Sequence, residues 1–108
     1  MCNELATVTE RINVLLARIE QGDYPDRALL EDTLTDGYAF ALSLDAECDR
    51  LERRIAGHAA ELTADSDEEH TRELSTLARM LGRRRDELNS LRGLLAVLRA
   101  GAQEARVA

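Results

Sequence analysis

The sequence predicts an all-α protein of three helices: a short N-terminal helix and then a long antiparallel helical hairpin, coiled-coil-like over its outer part, in a single helical domain spanning residues 1–108. Three observations predict it. Leu, Ala, Arg and Glu dominate, while aromatic residues make up 3% of the 108 residues and proline occurs once, the composition of helical bundles rather than of sheets. Apolar residues recur at alternating steps of three and four, the heptad spacing that keeps one stripe on one face of a helix. A single short polar break near Ser66 divides the longer run into two stripes, so the two halves pack side by side in opposite directions.

The first stripe is Leu5, Val8, Ile12, Leu15 and Ile19. Asn3 is placed to cap this helix and Gly22 to stop it, giving a helix over about 3–21. In "GDYPDR" the proline stands where a first helical position is expected, because its missing N–H is unpaired there in any case.

From there the stripe continues through Leu30, Leu34, Gly37, Ala41, Leu44, Cys48, Leu51, Ile55, His58 and Leu62 without a skipped step. The pair Asp36-Gly37 is a turn signal, yet a turn would break this phase. The expectation is therefore a continuous helix over 25–63 that accepts about 1 kcal/mol of propensity cost at the glycine.

The segment "TADSDEEH" interrupts the pattern, and Ser66 with Glu69 forms a capping box for a third helix over 67–100. Its stripe is His70, Leu74, Leu77, Leu81, Arg84, Leu88, Leu91, Leu95 and Leu98, and Gly101 is expected to end it. A reversal near Ser66 places Gly37 opposite Leu95, Ala41 opposite Leu91, Cys48 opposite Arg84 and Ile55 opposite Leu77. Small then faces large at Gly37 and Ala41, where closely spaced helix backbones leave room for a leucine.

Off the seam, Leu29, Tyr38, Phe40, Leu42, Leu94 and Val97 widen the apolar surface at one end, whereas positions between Asp45 and Glu87 are mostly charged. The first helix, roughly 28 Å long at 1.5 Å per residue, is long enough to cover only that end. The expected arrangement is a three-helix base of residues 3–21, 25–44 and 88–100 and a two-helix arm of residues 45–87, with Tyr38 and Phe40 packed on the first helix. An isolated two-helix arm has a narrow core, so homodimerisation along an edge of Met80, Leu94 and Val97 is expected to support it.

The chain carries a formal net charge of −7 and all 14 of its basic residues are arginine. A lysine nucleophile or phosphate-binding lysine is thereby excluded, and general nucleic-acid binding, which depends on basic residues displacing counterions, is not expected. Neither a signal-peptide pattern nor an apolar run of membrane-spanning length stands out, so the expectations are no membrane association and a cytoplasmic location. Cys2 and Cys48 make no disulfide framework, and Cys48 reads as a small core residue.

Candidate chemistry is sparse. His58 and His70 lie on the seam beside the break, with Glu61 one turn from the first and Asp67 one turn from the second. Histidine and carboxylate on facing helices can hold a metal, although the spacing here is not the paired Glu-x-x-His of di-metal bundles. Polar seam residues at helix ends and acidic capping residues account for the same side chains without a metal, so no cofactor is the first expectation. "DSDEE" lacks the glycine and the closing glutamate of a calcium loop. Arg84 is a charge on the seam, and a half-buried ion pair that sets the register together with Gly37 and Cys48 is its expected role. Arg83 to Arg85 point in three directions and make a poor anion trap. No Gly-rich phosphate loop, nucleophile elbow or Ser/His/Asp arrangement is present.

These readings lead to a non-enzymatic protein–protein interaction or assembly module: an adaptor, a chaperone or a structural subunit. Residues 45–73 hold ten acids against four arginines, which suits a basic protein partner. Two other readings remain at this point: a metal-binding helical oligomer, and an acidic inhibitor that mimics nucleic acid.

Overall fold

A computed structural model describes residues 3–62 and 68–107, and the side chains of residues 4–62 and 68–104. It contains three helices, α1 (Asn3–Glu20), α2 (Arg27–Glu61) and α3 (Glu68–Val107), and no strand among the described residues. A short helix precedes a long helical hairpin. The expected Ser66–Glu69 capping box and the cap from the Asn3 side chain lie outside what is described.

The first helix ends as its glycine predicts. Gly22 has φ of +80°, its N–H donates to the Ile19 carbonyl at 3.0 Å, and the Asp23 N–H reaches back to the Arg18 carbonyl at 2.9 Å. This pair of bonds is the Schellman arrangement, which satisfies carbonyls that the helix itself leaves open. The Arg18 side chain then donates to the Asp23 carboxylate at 3.1 Å.

The second helix starts later than the proline suggests. The Leu30 N–H donates to the Asp26 carbonyl at 3.0 Å, the first helical bond, so Asp26 is the capping residue and the buried Pro25 precedes it. At its other end the Leu62 N–H bonds the Ala59 carbonyl at 3.3 Å, a tightened last turn.

The chain divides into two compact units, Met1–Leu42 with Asn89–Ala108, and Ser43–Leu88. The sequence pattern put this boundary at 44/45 and 87/88. In the first unit Ile12, Leu91, Leu95 and Leu98 are fully buried, with Val8, Leu15, Leu30 and Ala41 around them. Gly37 lies within this core, and a Cβ built on it would overlap Leu95 Cδ2 and sit 3.4 Å from Leu95 Cγ. The helix runs through Gly37, and the missing side chain there leaves the space that Leu95 occupies.

Gly101 has the same role, not the stop expected of it. Helix α3 continues to Val107, and a Cβ on Gly101 would meet Ile19 Cδ1 at 3.2 Å. The glycine lets α1 approach α3, and the intrahelical bonds continue because nothing at that position needs a positive φ.

With the seam counted as heptad positions a and d, Thr33 and Phe40 of α2 and Leu94 and Gly101 of α3 fall in the flanking g columns. This is the side that takes α1. Arg11 donates to Asp36 at 2.9 Å and to the Thr33 hydroxyl at 3.4 Å, while that hydroxyl donates to the Leu29 carbonyl at 2.8 Å. Thr33 is thus a satisfied buried polar residue. Tyr38 lies in the opposite e column and is exposed, so its expected packing on α1 is not found; Phe40, in the g column, is half-buried.

In the second unit Cys48, Leu51, Leu77 and Leu81 form the core, with Ile55 packed against it. The edges carry charge pairs. Arg85 bonds Glu52 across the e columns, and Arg54 pairs with Glu73 at 3.5 Å across the g columns. Both match the antiparallel register in which Ile55 faces Leu77.

Candidate functional site

His58 lies in the last turn of α2 and His70 in the first turn of α3, at the two seam positions nearest the break. Apolar side chains fill most other seam positions of this unit, and both imidazoles are half-buried. Their Nδ1 atoms stand 3.1 Å apart, with ring centroids at 5.3 Å and ring planes inclined by 57°. Such a contact needs one protonated and one bare nitrogen. Glu61, one turn beyond His58, places Oε2 3.6 Å from His70 Nε2. One donor atom from each of His58, Glu61 and His70 lies within 4.8 Å of the other two. Asp67, the fourth residue expected here, lies outside the described residues.

Arg84 forms the second polar cluster. Its Nε donates to Glu47 Oε1 at 2.9 Å, and Nη1 donates to both Glu87 oxygens at 3.0 and 3.2 Å. The hydrogen bond donated to Glu47 raises the guanidinium pKa above its ordinary value against the effect of burial, and the Glu47 and Glu87 charges add to the rise. A seam charge flanked by two carboxylates from the g columns is a structural clamp. Its Nε and Nη1 are engaged by those carboxylates, and its neighbours Arg83 and Arg85 are exposed.

Cys48, on the seam beside it, is a free and buried thiol. Burial pushes its pKa up, and the Arg85 charge opposes that shift. A thiol held protonated in a core is unreactive packing material, not a nucleophile.

The apolar edge is distributed differently from the expectation. Met80 and Val97 are exposed, but Leu94 is half-buried in the g column on the side that takes α1 and is not part of an open edge. Exposed instead are Val14, Tyr24, Leu29, Tyr38 and Leu42, with Leu42 the most open at 70%. A concavity of about 330 Å³ is lined by Val14, Leu15, Leu29, Arg11 and Arg18 among others. The signal was present in the sequence: Leu29 lies off the seam on one side of α2 and Tyr38 and Leu42 on another, and one short helix covers only one of those sides.

No helix among the described residues is long and apolar enough to cross a membrane. No family model, curated protein or solved structure matches the chain.

Proposed function

We propose that the chain is a non-enzymatic protein–protein interaction or assembly module built on an antiparallel coiled-coil hairpin, and that it works as a homodimer. The observation that carries this reading is the distribution of exposed apolar side chains. Of the seven large ones among the described residues, six (Val14, Tyr24, Leu29, Tyr38, Leu42 and Val97) belong to the unit Met1–Leu42 with Asn89–Ala108. Exposed apolar side chains concentrated on one unit favour association, whereas single scattered ones need no explanation. Tyr38 and Leu42 are one turn apart on one face of α2 and are the surface offered to a second copy. The acidic stretch from Asp45 to Glu73 is left for a basic protein partner, with electrostatic attraction setting the encounter rate.

Light scattering coupled to size exclusion at two concentrations tests the reading. The expected result is a dimer for the natural sequence and a monomer of equal helix content for the double variant Tyr38→Ser, Leu42→Glu. A natural chain that is monomeric at both concentrations overturns the homodimer, and a dimer that survives the double variant overturns this face.

A further inference from the structure

We infer that His58, His70 and Glu61 form a transition-metal site of the Zn²⁺ class that ties the end of α2 to the start of α3. This goes beyond the interaction reading and does not depend on it. A heptad seam calls for apolar side chains at these two positions, and both hold imidazoles whose Nδ1 atoms face each other at 3.1 Å. Two nitrogens bound tetrahedrally to one zinc at about 2.0–2.1 Å are about 3.3 Å apart, so the pair is already near the required bite. The third donor comes from Glu61, which shares a helix face with His58; its carboxylate now lies 3.6 Å from His70 Nε2, and one donor atom from each of the three residues lies within 4.8 Å of the other two, so a side-chain rotation brings the carboxylate to an ion held between the Nδ1 atoms.

The donors explain the choice of ion. Two imidazoles and one carboxylate suit zinc and its neighbours, whereas magnesium and calcium prefer oxygen throughout. The ligands come from both helices and span the break between them, so an ion held there cross-links the hairpin where its seam is least buried. Cys48 is not part of this site, because it lies ten residues before His58 within the separate core of Leu51, Leu77 and Leu81.

The test is calorimetric titration of the full chain with Zn²⁺, together with the visible spectrum of the Co²⁺-loaded protein. One ion per chain is expected, with Co²⁺ bands of low coordination number and a rise of several degrees in the thermal midpoint on adding Zn²⁺. His58→Ala and His70→Ala should each weaken binding at least tenfold and remove both the bands and the thermal shift, and Glu61→Gln should weaken binding by a smaller factor. Cys2→Ser and Cys48→Ser should leave binding unchanged. Circular dichroism without metal establishes that each variant is folded, which separates loss of the site from loss of the helices. Binding that is absent, that needs two chains per ion, or that persists in a folded His58→Ala variant overturns the site.

Discussion

Gly37 and Leu95 form an interlocked pair: the glycine of α2 leaves a space that the fully buried leucine of α3 fills, and a Cβ at position 37 would collide with Leu95 Cδ2. Gly37→Ala is therefore expected to destabilise the protein by about 1–2 kcal/mol, because overpacking outweighs the roughly 1 kcal/mol that alanine contributes to a helix. Adding Leu95→Val should recover part of the loss, read as a positive coupling in a double-mutant cycle of urea midpoints. Gly82→Ala and Gly93→Ala, where nothing lies within 4 Å, should stabilise by up to about 1 kcal/mol.

Gly22→Ala should cost about 1–2 kcal/mol, since φ of +80° forces a side chain into the left-handed region. Gly22→Asn should cost less. Equal losses for both, measured as thermal midpoints, would place the origin outside the backbone conformation.

Arg84 tests whether a half-buried ion network supplies stability or only register. Arg84→Ala removes the partner of Glu47 and Glu87 and should destabilise by about 1–3 kcal/mol, largely from the unpaired carboxylates. Arg84→Leu combined with Glu47→Gln and Glu87→Gln should be close to neutral, because an apolar seam residue replaces a charge that was costly to desolvate and no carboxylate is left without its partner. If the second variant loses as much as the first, the ion network itself stabilises the fold.

The Cys48 thiol makes a prediction about alkaline pH. Its pKa lies above the ordinary value of 9.0 in the folded chain, so as pH rises through that value the unfolded state holds fewer protons than the native one. Stability contributed by this group is complete below that range and falls as pH rises through it. Cys48→Ala should flatten this decline in denaturant midpoints between pH 8 and 10. In native protein Cys48 should react with a thiol reagent far more slowly than in urea.

Ile12→Ala and Leu77→Ala probe the two units separately. Ile12 and Leu77 are fully buried in different units, and each truncation should cost about 2–5 kcal/mol. Amide exchange read by mass spectrometry should quicken mainly within the unit that carries the substitution. Uniform quickening across both units would mean that they unfold only together.

The heptad steps were enough to place three helices, the run through Gly37 and the antiparallel register, because each depends on periodicity along one chain. The approach of His58 to His70 was also legible, since both stand on the seam beside the break. Other features needed the third dimension. Whether Gly101 ends a helix or admits Ile19 depends on where α1 lies, and a glycine permits either outcome. The exposure of Tyr38 against the half-burial of Leu94 depends on which side of the hairpin α1 covers, and both sides offer apolar residues in the sequence. Thr33 likewise is buried on the side that takes α1, with its hydroxyl bonded to the Leu29 carbonyl and reached by Arg11 of α1. Spacing along one helix therefore fixes which residues share a face, but which of two apolar faces is buried is decided by the docking of a separate helix and the charges it brings.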